Sequence, residues 1–329
     1  MTKLKIVDFD TLPVEFKRKL FEGYMDYNRF EIIQAEKDMS IDEKRKLVRD
    51  ADIILSDSAH MNPIPRSIIE SAEKLKLIQC YSIGYDDIDI EAAREKGIPV
   101  ANSAGILSKP MAEYTIMSAL YLIKSIEYAY SEFKKENWVQ QELLNPPKQP
   151  LEFGALTLGI IGCGSIGQEI AKYAKVFGTR ILYHNRKKLD ENIEQNLGLE
   201  YTSFEDILKK SDVLSVNVPL TNETKAMIGA DEISLMKKGA VLINTARGEV
   251  VDASALAIAI ENGHLRGAAV DVFINEPNIE NCPLIGLKNV ILTPHSSAIS
   301  PESVKRVPPK VMENLNRIYE GKPPLRVVN

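Results

Sequence analysis

The 329 residues are 44% apolar and 26% charged, enough to bury a large core and a better fit to two domains than to one. Forty-one basic against 46 acidic side chains give a formal net charge of -5, which argues against nucleic acid or a membrane surface as partner; an anionic substrate needs a local positive site. Cys80, Cys163 and Cys282 lack paired spacing, which argues against a disulfide framework and against a metal site, and the N-terminus lacks the basic start and long apolar stretch of a signal peptide, so a cytoplasmic location is expected.

Short apolar runs alternate with longer segments of helical period, the pattern of βα units around a parallel sheet, and the fold class is α/β with two doubly wound parallel-sheet domains. Predicted strands in the first hundred residues are Leu4 to Phe9, Phe30 to Ile33, Ile53 to Ser56, Leu77 to Tyr81 and Pro99 to Ala101, with helices such as Ile41 to Ala51 and Pro65 to Lys74 between them. Leu107 to Lys134 has few breakers and reads as one long helix leaving the first domain. Asn145-Pro-Pro-Lys-Gln-Pro150 must be a loop, because proline removes the backbone donor that helix and central strand need. A second βα series runs from Thr157 to about Leu292, and Pro301 to Gly321 reads as a final helix.

In the second series, Leu158-Gly-Ile-Ile-Gly-Cys-Gly-Ser-Ile-Gly167 sets Gly162, Gly164 and Gly167 in GxGxxG spacing between a buried strand and the helical run Gln168 to Phe177. The first glycine allows the tight turn, the second admits a pyrophosphate to backbone N–H groups, and the third packs helix on strand. Ser165 and Ile166 complete this dinucleotide cradle at the helix N-terminus. The next strand, Arg180 to His184, ends in Asn185-Arg186-Lys187-Lys188, where an NAD site would place an acid for the ribose hydroxyls. Three cations and no carboxylate there point to NADP(H) over NAD(H).

Reduction of a 2-oxo acid by hydride requires a cation for the carboxylate, a polarising donor at the carbonyl and an acid for the developing alkoxide. Of four histidines, His60 lies in a loop, His184 at the ribose corner and His264 in a polar turn; His295 follows the apolar run Val290 to Pro294, at a strand end, where open α/β sheets bind ligands. Arg247 follows Gly239-Ala-Val-Leu-Ile-Asn-Thr-Ala, and its guanidinium can take a carboxylate bidentately. Glu276 follows Ala268 to Phe273 and can pair with a histidine, favouring the imidazolium form. Each alone reads as an ordinary surface or packing residue. Arginine, carboxylate and histidine after successive strands read as a site.

With the glycine turn, Ser211-Asp-Val-Leu-Ser-Val-Asn-Val-Pro219, the Asn-Thr-Ala-Arg-Gly core of Met236 to Asp252, Asp271-Val-Phe-Ile-Asn-Glu-Pro277 and Thr293-Pro-His-Ser-Ser297, the chain resembles the D-isomer-specific 2-hydroxyacid dehydrogenases over nearly its whole length. The resemblance implies that Arg247 orients the substrate carboxylate and carbonyl, that His295 is the acid–base group, and that Glu276 tunes it. It implies that Ser82, Ile83 and Gly84 lend backbone N–H groups to the carboxylate, that Ser297 lies near the substrate side chain, that Val218, Pro219, Thr245 and Ala246 line the cofactor site, and that Asp271 holds the nicotinamide carboxamide. It further implies a discontinuous flavodoxin-like substrate domain, residues 1–102 and 295–329, a Rossmann domain, residues 103–294, a cleft that closes on substrate, and a homodimer held by the long helix through Glu113 and the arm bearing Trp138.

Within the family, Tyr183-His-Asn-Arg-Lys-Lys188 resembles the glyoxylate and hydroxypyruvate reductases that use NADPH. Ala155-Leu156 departs from the Gly-Lys common before the first Rossmann strand, and Ser296-Ser297 and Lys109-Pro110 fall where side-chain pockets form. Two other readings stand beside the enzyme: a dinucleotide-sensing binding protein like the family's corepressors, and a dehydrogenase of another small anion such as phosphite or formate. A pure binder has no need of a proton donor, so the set Arg247, Glu276 and His295 favours catalysis.

Overall fold

The computed structural model describes residues 3–329. The chain forms two compact units, Met1–Ile106 with Ser300–Asn329, and Leu107–Ile299. In the first, strands β1 (Leu4–Asp8), β2 (Phe30–Gln34), β3 (Ile53–Leu55), β4 (Leu77–Gln79) and β5 (Val100–Ala101) pair in parallel in the order β2-β1-β3-β4-β5, a doubly wound arrangement. Their apolar runs are covered on both faces, so Ile6, Val7, Ile53, Ile54, Leu77 and Ile78 are fully buried. The last helix, Val307–Tyr319, closes this unit: Val311, Met312 and Leu315 join Ile6, Ile53 and Leu77 in one core. The buried Asn314 amide donates to Gln79 Oε1 at 2.7 Å and to the Leu325 carbonyl at 3.0 Å.

The second unit has seven parallel strands: β6 (Thr157–Ile161), β7 (Arg180–His184), β8 (Leu199–Tyr201), β9 (Val213–Val216), β10 (Val241–Asn244), β11 (Gly267–Val270) and β12 (Val290–Leu292), in the order β12-β11-β10-β9-β6-β7-β8. Counted from its own first strand this is the dinucleotide-binding order 3-2-1-4-5-6 with one strand added at the far edge, and the chain reverses direction across the sheet between β6 and β9. Among the described residues no helix is long and apolar enough to cross a membrane.

Three expectations are corrected in detail. The predicted long helix is two, Ser108–Ile123 and Ile126–Phe133. Ser125 between them has φ 53°, and the Arg266 guanidinium receives the loose end, donating to the carbonyls of Leu122 and Ile123 and to Ser125 Oγ. The final helix also breaks, at Arg306, ahead of Pro308 and Pro309, which have no N–H to continue the ladder. The units divide at 106/107 and 299/300 rather than at 102/103 and 294/295. Ser103 is tied to the first unit by its N–H and hydroxyl, which donate to the carbonyls of Ser82 and Cys80, and Ser296 and Ser297 are tied to the second by N–H bonds to Asp271.

At the end of β1, Lys17 Nζ donates to Asp8 Oδ2 at 2.6 Å, to Gln34 Oε1 at 2.6 Å and to the Asp10 carbonyl at 2.9 Å. Burial pushes the Asp10 carboxyl up to about 6 against its bonds from Leu12 N–H and the Lys17 charge, and the charges of Asp8 and Asp57 push the same way as burial. The unfolded chain releases this proton near 3.8. The folded unit therefore holds an extra proton between that value and about 6, and stability is lost as pH rises across the window. Asp10→Asn keeps an oxygen for Leu12 N–H and removes the buried charge. It should raise the unfolding free energy at pH 7.5 by about 2 kcal/mol and at pH 4 by little; urea denaturation at the two pH values checks this, and equal effects at both would contradict it.

Candidate active site

The glycine turn lies at the C-terminal end of β6, before helix Ser165–Val176. Gly162 has φ 87°, and a Cβ there would stand 2.7 Å from the backbone carbonyl of Asn217, just past β9. Only glycine lets the ends of these two strands meet where the sheet reverses. Gly164 precedes the helix and no side chain caps its first turn, so the N–H groups of Ser165, Ile166 and Gly167 stand at a positive helix end suited to a pyrophosphate. The corner after β7 is stitched to this turn: Cys163 N–H donates to Asn185 Oδ1 at 2.7 Å and Gly162 N–H to the His184 carbonyl at 3.0 Å. Arg186 and Lys187 are exposed at that corner, and Lys188 pairs with Glu194 at 3.1 Å.

Val218 and Pro219 follow β9, and Thr245 and Ala246 follow β10. Asn217 Oδ1 and Thr245 Oγ1 are buried without a hydrogen-bond partner in the protein. Orphaned polar atoms at two strand ends beside a bare helix N-terminus suit a polar, phosphate-bearing ligand. The donor set fits a nicotinamide dinucleotide.

The three expected catalytic side chains all belong to this unit. Arg247 leaves β10 through a turn closed by Asn244, whose Oδ1 accepts from Ala246 N–H and whose amide donates to the Arg247 carbonyl, both at 3.0 Å. Arg247 Nη1 donates to the Ala246 carbonyl at 2.7 Å. Glu276 Oε1 accepts from Phe273 N–H at 2.6 Å, and Glu276 Oε2 meets His295 Nδ1 at 2.6 Å. Burial raises the Glu276 carboxyl, but the hydrogen bonds from His295 and Phe273 and the charges of His295 and Arg247 together bring it below its ordinary value. It is therefore a carboxylate throughout the neutral range, and Arg247 is close enough to act on it electrostatically.

His295 itself stands at φ 51°, a left-handed conformation that a side chain adopts only when its surroundings impose it. Asp271 imposes it. This fully buried residue accepts from Thr293 Oγ1 at 2.5 Å and Ser296 N–H at 2.9 Å on Oδ1, from Ser297 N–H at 3.0 Å on Oδ2, and from His295 N–H at 2.9 Å on its carbonyl. Thr293 gives its proton to Asp271, so the Tyr114 hydroxyl, 2.7 Å away, donates to Thr293. Asp271 and Ser297, expected at the nicotinamide and the substrate, thus hold the histidine loop through these bonds. Tyr114, Thr293 and Asn244 were not foreseen; only Asn244, an Asx residue between an apolar run and a glycine, carried a turn signal in the sequence.

Ser82, Ile83 and Gly84 lie in the first unit, after β4. Ser82 Oγ donates to the Gly84 carbonyl at 3.0 Å, Asn102 Nδ2 to the Ile83 carbonyl at 2.9 Å, and Ser103 N–H to the Ser82 carbonyl at 3.0 Å. The carbonyls are thereby engaged within the unit. The other histidines serve structure: His60 Nδ1 meets Asp87 Oδ1, and His184 and His264 bond backbone carbonyls.

Residues 116–297 match the family described as D-isomer specific 2-hydroxyacid dehydrogenase, NAD binding domain. The chain belongs to the D-isomer-specific 2-hydroxyacid dehydrogenases. It is 40% identical to a glyoxylate reductase of Aeropyrum pernix, over 80% of this chain and 78% of that one, and 41% identical to a glyoxylate reductase of Thermococcus litoralis, over 81% and 80%. A glyoxylate reductase structure from Paecilomyes thermophila superposes with a TM-score of 0.85 at 27% identity, covering 100% of this chain and 99% of that one. The protein is thus an NAD(P)-dependent 2-hydroxyacid dehydrogenase with two parallel-sheet α/β domains.

In this dehydrogenase, Glu276→Gln removes the negative charge beside His295 Nδ1 and keeps the shape. The ring then loses the charged acceptor that orients it. The variant should lower kcat/KM for reduction about tenfold or more and change its pH–rate profile; a wild-type rate and profile would count against the pairing.

Proposed function

We propose that the enzyme reduces glyoxylate, and hydroxypyruvate as the next larger acid, with NADPH in preference to NADH. The carrying observation is the exposed pair Arg186 and Lys187 at the end of β7, where a carboxylate for the ribose hydroxyls is missing from the sequence. Support for the substrate comes from the glyoxylate reductase relatives. In this reading the second unit holds the dinucleotide on the glycine turn.

When bound, the nicotinamide supplies the hydride to the C2 carbon. Arg247 grips the carboxylate and polarises the carbonyl oxygen with its planar fork of donors. His295 turns Nδ1 to Glu276, which leaves Nε2 to carry the proton that the developing alkoxide takes. Glu276 fixes the ring orientation and offsets the charge of the protonated ring. Thr245 and Asn217, with their unpaired buried oxygens, line the dinucleotide side of the site.

The same reading makes the protein a homodimer. Tyr130, Phe133, Trp138 and Leu144 are between 58% and 76% exposed along one stretch of chain, a concentration of aromatic and apolar side chains typical of protein interfaces. Light scattering should give twice the chain mass.

His295→Ala should cut turnover by about 10²–10⁴-fold, the usual contribution of a positioned acid, and leave the Kd for NADPH within about twofold; stopped-turnover assays and nucleotide fluorescence check both. Arg186→Ala should raise the KM for NADPH about tenfold, the loss of one charged hydrogen bond, and leave that for NADH unchanged. Initial rates with both cofactors against glyoxylate, hydroxypyruvate, pyruvate and branched or aromatic 2-oxo acids test the assignment itself. A larger kcat/KM with NADH, or with the bulky acids, would overturn it.

A further inference from the structure

Gly248 is buried immediately after Arg247, and its backbone is not among those at positive φ, so the turn itself does not call for glycine. Space does. A Cβ on Gly248 would stand 2.3 Å from the carbonyl carbon of Phe273, 2.5 Å from the nitrogen of Ile274 and 2.7 Å from the oxygen of Phe273. All three are main-chain atoms, which cannot swing aside as a side chain can, and carbon atoms in contact settle at about 3.5–4.0 Å.

The peptide that Gly248 touches, Phe273–Ile274, shares the Phe273 α-carbon with the peptide that holds Glu276: Phe273 N–H donates to Glu276 Oε1 at 2.6 Å, and Glu276 Oε2 meets His295 Nδ1 at 2.6 Å. On the other side, the Asn244 side chain holds the Ala246 N–H and the Arg247 carbonyl, and β10 is locked to β11 from Val241–Gly267 to Asn244–Val270. A displacement therefore cannot be absorbed behind Arg247. It must open the distance between the arginine loop and the glutamate loop, by about 1 Å if the contact is to relax to an ordinary one.

We propose that Gly248 is a positioning residue: by main-chain contact with Phe273 and Ile274 it sets the spacing between Arg247 and the Glu276–His295 pair, and so between the group that grips the acid and the group that protonates it. The inference rests on the roles given above to Arg247, Glu276 and His295. A misplacement of this size, away from the reacting atoms, costs about 10²-fold in rate.

The experiment starts from wild-type turnover of the 2-oxo acid panel with NADPH, which tests the substrate reading alone. Gly248→Ala is then compared with wild type on whichever acid is turned over, so the two ideas fail separately. The expected result is a fall in kcat/KM of about 10²-fold, a pH–rate profile displaced in the same direction as that of Glu276→Gln, and a Kd for NADPH within about twofold of wild type. Gly229→Ala is the control: its Cβ would meet only Glu232 Oε2 at 3.4 Å and the Ala226 oxygen at 3.8 Å, and it should behave as wild type. In the double variant Gly248→Ala with Glu276→Gln, the combined loss should fall well short of the product of the two single losses, because residues acting through one another are not additive.

Wild-type kcat/KM and pH profile in Gly248→Ala would overturn the proposal, as would loss of NADPH binding in step with turnover, or fully multiplicative losses in the double variant. Should Gly248→Ala fail to fold, Ile274→Gly leaves the contacting main-chain atoms in place but gives the backbone of the opposite loop more freedom to shift, at a side chain that is half exposed. A displaced pH profile with normal NADPH binding then supports the proposal, and an unmoved profile overturns it.

Discussion

The buried carboxylate of Asp271 is the interaction on which the catalytic arrangement depends. A carboxylate removed from water costs several kcal/mol unless its lone pairs are filled, and here three donors fill them: Thr293 Oγ1, Ser296 N–H and Ser297 N–H. All three come from one five-residue stretch. The carboxylate therefore stays buried only if that stretch wraps around it, and the wrap places His295 in a left-handed conformation that its own preferences oppose. The strain at the histidine, roughly 1–3 kcal/mol by the usual scale for such residues, is small beside the cost of leaving Asp271 unpaired.

The constraint propagates because all strands of a parallel sheet end on one edge. Asp271 follows β11, Arg247 follows β10, and the histidine loop follows β12, three neighbours in the sheet. Adjacent strands lie about 4.8 Å apart, so short turns after them bring an arginine, a glutamate and a histidine together with no long loop to order. The polar side chains Asn244 and Asp271 each use one residue to close a turn, and Thr293 links the histidine loop through Tyr114 to helix Ser108–Ile123. The site is held by the ends of rigid elements, which is where small errors in position are most easily avoided.

Much of this was legible in the sequence, for physical reasons. Parallel strands buried on both faces read as unbroken apolar runs, so β1, β6, β10 and β11 declared themselves, and the polar residues just beyond them were natural candidates for a site. The glycine turn was legible because its spacing follows from backbone geometry. What could not be read depends on partners distant in the chain. The break at Ser125 is held by Arg266, 141 residues on, and the division of the chain near residue 299 reflects bonds from Ser296 and Ser297 to Asp271. Similarity suggested a cofactor role for Asp271, but its hold on the histidine loop is visible only once the strands are side by side. Gly248 stood in the sequence only as the end of the Asn-Thr-Ala-Arg-Gly core; its requirement is proximity to Phe273 and Ile274, which no sequence pattern records.

Charge shows the same separation of local from global. The chain carries a net charge of -5, yet the proposed selectivity for a phosphorylated dinucleotide rests on two or three cations at one corner. These statements are compatible because surface charges beyond about 8 Å are largely screened at physiological salt. The corner is further thinned by the pairing of Lys188 with Glu194, so Arg186 and Lys187 carry the local field. A planar guanidinium on a turn stitched by Asn185 to the glycine loop is better ordered for a phosphate than a lysine on a free loop. Selectivity of this kind is decided by the position of one side chain relative to the glycine turn, and the overall acidity of the protein has little influence on it.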